Sequence, residues 1–380
     1  MRVHVHERHD RVVRLVREHG SMTIARVAAT LNVSMVTVRR DAGLLVSEGR
    51  LGRVHGSLVW PGTGRPGRAL APVGAPVREG TVVGMIVPTM HYSFSEIVQG
   101  ARTVLAARGV RLVLGLTGYL AEEDGRQIER LVASGVNGLL VTPSWERGEP
   151  GAGEAEAVLA AAVPTVLVER WTSPGSAAHG LDRVRSDSAH GAGSAVRHLA
   201  ALGHGRFALA LQSSPHAAQL RAGFEAALST LGLPAAHAPG FDAGALASES
   251  ERYARTLEFL RRGVREHGVT AAFVHSDADA VVLVPRLQAL GVRVPEDLAL
   301  VVYDDEVSGL SELALTAVAP PKRAVGAVAA RLLLDRLAAG PEDRGGGADG
   351  PGGTGGARRH VELLPELRVR DSCGGSATPI

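Results

Sequence analysis

Apolar residues in the first sixty positions fall at helical spacing in short bursts, whereas from Thr81 onward continuous apolar runs alternate with amphipathic stretches. Between Arg8 and Val16 the spacing of Val12, Val13, Leu15 and Val16 predicts an amphipathic helix, ended at Glu18-His19-Gly20 by a glycine able to turn left-handed. Ile24 to Leu31 predicts a second helix with Val27, Ala28 and Leu31 on one face, and Asn32-Val33 a turn. Ser34 then suits an N-cap, because its hydroxyl can accept from a free amide of the next turn. In the helix that follows, Val33 and Val38 face inward while Thr37, Arg39 and Arg40 face solvent. Helix, helix, tight turn, helix is the helix-turn-helix order, and two guanidinium groups beside a small hydroxyl suit the DNA major groove. Two short extended segments, Arg50 to Val54 and Ser57 to Trp60, hinge at His55-Gly56 and predict a wing.

Pro61 to Gly80 has no periodicity and repeated Pro and Gly, the composition of a stiffened linker. Beyond it, Val82–Val87 predicts a buried strand, Ser95–Arg108 a helix, Arg111–Leu116 a strand, Glu122–Ser134 a helix, Gly138–Thr142 a strand, Glu154–Ala162 a helix and Thr165–Val168 a strand. The series restarts with helices at Asp187–Leu202, Leu220–Leu231, Glu251–Glu266 and Ala278–Leu290, and strands at Arg206–Leu211, Ala271–His275 and Leu298–Tyr303. Repeated βαβ units imply parallel sheets flanked by helices, and two such series imply an α/β body of two lobes, with a cleft at the strand ends. Ala324 to Leu337 predicts one more helix, Gly340 to Gly356 a glycine-rich loop, and His360 to Leu364 a returning strand. The organisation expected is 1–60 for the winged reader, 61–80 for the linker, 81–372 for the two-lobed domain and 373–380 for a disordered tail holding Cys373.

At 380 residues the chain exceeds one ordinary domain of roughly 150 residues. Its net charge is only +2, so any affinity for nucleic acid must come from local clustering, and residues 1–68 are arginine-rich. A single cysteine excludes a disulfide within the chain and fits a reducing compartment. His4, His6 and His9 lack a nearby cysteine and do not make a zinc set; no metal or cofactor is expected. The N-terminus has no apolar signal stretch and no run is long enough to span a bilayer, so a cytoplasmic location without a membrane partner is expected. An α/β enzyme of sugar processing fused to a DNA-binding module is the competing reading. Against it, no strand is followed by Gly-x-Gly-x-x-Gly or Gly-Lys-Ser/Thr, and no nucleophile elbow is present.

The N-terminal residues resemble the DeoR-type winged helix-turn-helix regulators. The likeness rests on Arg8, on Val33-Ser34-x-x-Thr37-Val38-Arg39-Arg40-Asp41, and on Gly49-x-Leu51-x-Arg53-Val54-His55-Gly56. It implies that Ser34, Thr37, Arg39 and Arg40 meet DNA and that Arg53 and His55 belong to the wing. Ala42 replaces the family's usual leucine, and Gly43 falls inside the helix, where it costs roughly 1 kcal/mol against alanine.

The remainder resembles the sensing core of the LacI/GalR regulators, similar in fold to periplasmic sugar-binding proteins. The markers include Val83-Gly84-x-Ile86-Val87-Pro88, Gly135-Val136-x-Gly138-Leu139-Leu140, Gly223-Phe224-x-x-Ala227-Leu228, Val294-Pro295-Glu296-Asp297-Leu298, Tyr303-Asp304-Asp305 and Pro365-Glu366-Leu367-x-Val369-Arg370-x-Ser372. By this likeness Phe94, Asp187, Asp277 and Asp304 stand at ligand positions, although Phe94 equally suits a core ring at a helix start and Asp187 an N-cap. Leu220 occupies the place of a family arginine and Arg221 lies one position on, about 100° around the helix. The resemblance implies a repressor that binds double-stranded operator DNA as a homodimer and answers to a sugar-like effector.

Overall fold

In the computed structural model the described residues are 5–19, 21–31, 33–47, 51–54, 57–59, 78–90, 93–234, 239–243, 248–339 and 357–375. His55, residues 61–77 of the expected linker, the glycine-rich 340–356 and residues 376–380 lie outside them. The chain divides into two compact units, Met1–Val73 and Gly74–Ile380.

In the first unit, α1 (Val5–His19), α2 (Ile24–Leu31) and α3 (Met35–Ser47) pack with a small sheet of β1 (Ser21–Thr23), β2 (Gly52–Val54) and β3 (Ser57–Val59), ordered β1-β3-β2. β1 was not expected, because three residues carry no periodicity; it exists through pairing of Met22 with Leu58. The apolar spacings converge on one core of Val12, Val16, Val27, Val38, Ala42, Leu45, Leu51 and Leu58, all buried. Ala42 is fully enclosed there, and α3 continues unbroken past Gly43, around which a Cβ would meet open space. The feature that fastens α1 to α3 is polar. Arg8 donates to both oxygens of Asp41 at 2.6 and 3.1 Å, His9 shares a hydrogen bond with it at 3.1 Å, and Asp41 is buried.

The second unit holds two six-stranded sheets. The first is ordered β14-β8-β7-β6-β4-β5, from β4 (Val82–Val87), β5 (Arg111–Leu116), β6 (Gly138–Val141), β7 (Thr165–Val168), β8 (Asp182–Ser186) and β14 (His360–Leu363), all parallel. The second is ordered β10-β9-β11-β12-β13-β15, from β9 (Phe207–Leu211), β10 (Gly240–Asp242), β11 (Ala271–His275), β12 (Ala299–Tyr303), β13 (Thr316–Ala319) and an antiparallel β15 (Glu366–Arg368). The first lobe carries α4 (Ser93–Ala106), α5 (Ala121–Ala133), α6 (Glu156–Leu159) and α11 (Lys322–Ala338); the second carries α7 (Ser188–Ala201), α8 (Ala217–Thr230), α9 (Glu249–His267) and α10 (Asp277–Ala289). The chain passes between lobes where β8 leads to α7, where β13 leads to α11 and where β14 leads to β15. The first and last passages are tied by Asp187 N–H donating to the Leu363 carbonyl at 2.9 Å.

Three expectations change. The helix foreseen over 154–162 shrinks to α6, four residues. β8 was passed over because Asp-Arg-Val-Arg-Ser has no apolar run; its Asp182, fully buried, is satisfied by Arg336 at 2.7 and 2.8 Å. Cys373 is not in a loose tail but 1% exposed, packed in the core of the second lobe with its thiol 3.3 Å from His198 Nε2.

Helices α4 and α11 approach backbone to backbone at two points. A Cβ on Gly326 of α11 would lie 1.8 Å from the Ile97 carbonyl oxygen of α4, and one on Gly100 of α4 2.0 Å from that of Arg323. Only glycine permits this crossing, which locks α11 to the first lobe.

Candidate DNA-reading helix and effector cleft

The reading helix is built as its sequence requires. Ser34 Oγ accepts from the Thr37 amide at 3.1 Å and bonds the Thr37 hydroxyl at 2.8 Å, closing the N-cap. Ser34 and Arg40 are exposed and Thr37 is half-buried; Arg39 lies in α3 and Arg53 in β2. Burial opposes ionisation of Asp41, yet the hydrogen bonds from Arg8 and His9 hold its pKa below the ordinary carboxylate value. The buried anion therefore anchors the helix from behind while its outer face stays open.

In the second unit the chemistry gathers where parallel strands end, as open α/β sheets dictate. Tyr119, Glu169 and Asp304 have φ of 64°, 52° and 76°, and are the described non-glycine residues in the left-handed region. They follow β5, β7 and β12. Backbone strain of about 1–3 kcal/mol at each position is characteristic of a working site.

Asp304 receives the Lys322 ammonium on Oδ1 at 2.8 Å, and its amide donates to the Val318 carbonyl at 3.0 Å. Burial pushes its pKa up, but the adjacent Lys322 ammonium holds it below the usual range. Arg170 is 1% exposed; Nε donates to the Pro143 carbonyl at 2.6 Å and Nη1 to that of Glu169 at 2.8 Å, while Nη2 has no partner among the described residues. Burial brings Arg170 down to about 10, so it stays charged at neutral pH. The half-exposed Tyr119 lies within electrostatic reach of Arg170 and of Asp304, one from each lobe. Phe94, 9% exposed, meets the Tyr119 ring edge-on at 6.4 Å.

The second lobe adds Tyr303, whose hydroxyl bonds Ser188 at 2.8 Å; Ser188 also bonds His216 Nδ1 at 3.2 Å. Burial lowers His216 to about 3, so it presents a neutral imidazole. His275 is also lowered by burial, and its Nδ1 has no partner among the described residues. At the far side the lobes touch, since a Cβ on Gly148 would lie 2.3 Å from the Pro215 carbonyl oxygen.

The other residues singled out from sequence have partners of their own. Asp187 caps α7, accepting the His190 amide at 2.8 Å, within one of the lobe passages. Asp277 is buried and gathers the amides of Glu306, Val307 and Ser308 at 2.8, 2.7 and 3.2 Å, which shapes the loop after Asp304. Arg221 sits at the sheet edge, 3.6 Å from Asp242, and Leu220 is core. Arg170, Tyr119, His216, His275 and Lys322 were missed. The signal that could have found most of them is position, one to three residues beyond each parallel strand.

A winged helix-turn-helix and a two-lobed binding body on one chain define a ligand-governed DNA-binding regulator. The comparisons agree. The DeoR-like helix-turn-helix domain matches residues 8–63, and the periplasmic binding protein-like domain matches 196–373. An arabinose metabolism transcriptional repressor of Geobacillus stearothermophilus is 25% identical over 354 residues, covering 91% of this chain and 89% of the relative. The HTH-type transcriptional repressor PurR of Vibrio vulnificus is 28% identical over 301 residues, covering 76% and 80%. A transcriptional regulator CelR–cellobiose complex shares the fold with a TM-score of 0.61 at 23% identity, covering 92% of this chain and 99% of that one. By these matches the chain is similar to LacI/GalR-type transcriptional repressors, with a DeoR-like reader at its front.

Proposed function

We propose that the effector is a sugar or sugar-like polyol held between the lobes. The observation that carries this is a pair of charged groups near Tyr119: Asp304, which Lys322 engages through Oδ1, and the buried Arg170, whose Nη2 has no partner among the described residues. A hydroxyl can donate to the first and accept from the second, and a sugar's C–H face stacks on rings such as Tyr119 and Phe94. A relative named for arabinose metabolism and a neighbour solved with cellobiose support the same class. Asp187 and Asp277 act by shaping the hinge and the Asp304 loop, and Arg221 by bracing the sheet edge.

On the DNA side, Ser34, Thr37, Arg39 and Arg40 meet the operator and Arg53 and His55 the flanking backbone. The protein works as a cytoplasmic homodimer with no membrane partner; no described helix is long and apolar enough to cross a membrane. Closure of the cleft alters the spacing of two readers on half-sites about one helical turn apart.

Thermal-shift measurements of the full chain against a panel of pentoses, hexoses and disaccharides test this. A true effector at 100 times its dissociation constant adds about 2.7 kcal/mol, and Asp304→Ala should abolish that gain while leaving operator affinity intact. A panel without any shift, or an Asp304→Ala variant that responds normally, removes the assignment.

A further inference from the structure

Lys322 is the sole lysine among the 41 lysine and arginine residues of the sequence. It opens α11, is 9% exposed, and places its ammonium 2.8 Å from Asp304 Oδ1 and 2.5 Å from Glu306 Oε1. Because α11 packs on α4, β6, β7 and β8, while Asp304 and Glu306 follow β12, these two ion pairs bridge the lobes beside a chain passage. An ammonium is a compact charge that can wedge between two carboxylates; a guanidinium is a wide planar fork. Where every other basic position of this kind is arginine, geometry explains the exception.

The remaining groups within reach of Asp304 do not substitute for it. His216 and His275 are kept neutral by burial, Tyr303 and Tyr119 are raised further from ionisation, and Asp277 is satisfied by three amides. Arg170 reaches Tyr119 but makes its hydrogen bonds to carbonyls.

We propose that Lys322 is a positioning residue: by occupying Asp304 Oδ1 from the other lobe it keeps that side chain ionised, turns Oδ2 to the cleft and fastens the lobes at the hinge. This rests on the effector reading for its purpose, yet the bond is testable without any ligand.

The test is thermal unfolding of full-length protein across pH, comparing wild type with Lys322→Met. In the wild type Asp304 is held below its unfolded pKa of about 3.9. Its contribution is therefore present above that value and lost as pH falls through the folded one. In Lys322→Met the carboxylate lies beside Glu306 without a cation and its folded pKa rises. The variant should melt on the order of 5 °C lower at pH 7.5, with the gap beginning to narrow as the variant's carboxylate protonates and closing only as pH falls through the lowered folded value of the wild type. A gap that does not change with pH means the lysine acts only by packing, and overturns the proposal. Asp304→Asn reads the same bond should Lys322→Met fail to fold: its gap should also narrow with acid, and a constant gap overturns the proposal equally. In the double variant the losses at pH 7.5 should fall short of the sum of the single losses; full additivity sinks the idea. A wild type that ignores every sugar would remove the effector reading and leave this pH signature untouched.

Discussion

The reader and the cleft solve opposite problems. In the first unit four of the six groups assigned to DNA lie within seven residues, 34 to 40, on one helix and its cap, placed by local rules of capping and periodicity. In the second, the cluster spans Phe94 to Lys322 and draws on the ends of β5, β7 and β12, together with a helix start from each lobe. A local site needs one element to be well anchored. A dispersed site needs two lobes to be held in register, and its polar groups are then buried and strained where they meet.

That contrast yields tests of graded size. The largest effect belongs to the reader's anchor. Asp41→Ala removes the buried carboxylate that holds half-buried Arg8 and buried His9, which costs roughly 3 kcal/mol. In so small a unit this should unfold residues 5–59, seen as loss of amide protection there and of operator binding, while the second unit melts unchanged. The wild-type anchor should also fail in acid. With a lowered pKa, Asp41 contributes above about 4 and loses that contribution as pH falls through its folded value.

Next comes the register of the first lobe. Gly326→Ala pushes a methyl group into the Ile97 carbonyl and should cost about 1–3 kcal/mol, lowering the denaturant midpoint of the second unit only. Unchanged stability would mean that α4 and α11 part easily, contrary to a rigid lobe.

Arg40→Ala should weaken specific operator binding by about 1–3 kcal/mol, roughly 10- to 100-fold, with little change in the melting curve. Gel shifts that show wild-type affinity would free this residue from the reading face. The smallest effect is a gain: Gly43→Ala, in open space on α3, should stabilise the reader by about 0.5–1 kcal/mol. A loss of stability would show that the helix needs flexibility at that point.

Legibility follows the same divide. Ser34 as a cap, Val38 inside and Arg40 outside were readable because each depends on neighbours three or four residues away. Asp304 was readable only through the family motif it sits in. Arg170 and Tyr119 were hidden, since neither has a sequence neighbour that explains it. That Asp187 Oδ1 and Asp277 Oδ2 accept from backbone amides was decided by where the loops fold.

The sequence by itself determined the two-part plan, the helix-turn-helix order and the alternation of buried strands with helices, because periodicity and capping are properties of contiguous residues. Tertiary structure alone decided that one lysine would span two lobes to reach Asp304, that Arg170 would be enclosed with a nitrogen free, and that Cys373 would be core. Such outcomes depend on distance and desolvation between residues up to two hundred positions apart, and no local pattern encodes either.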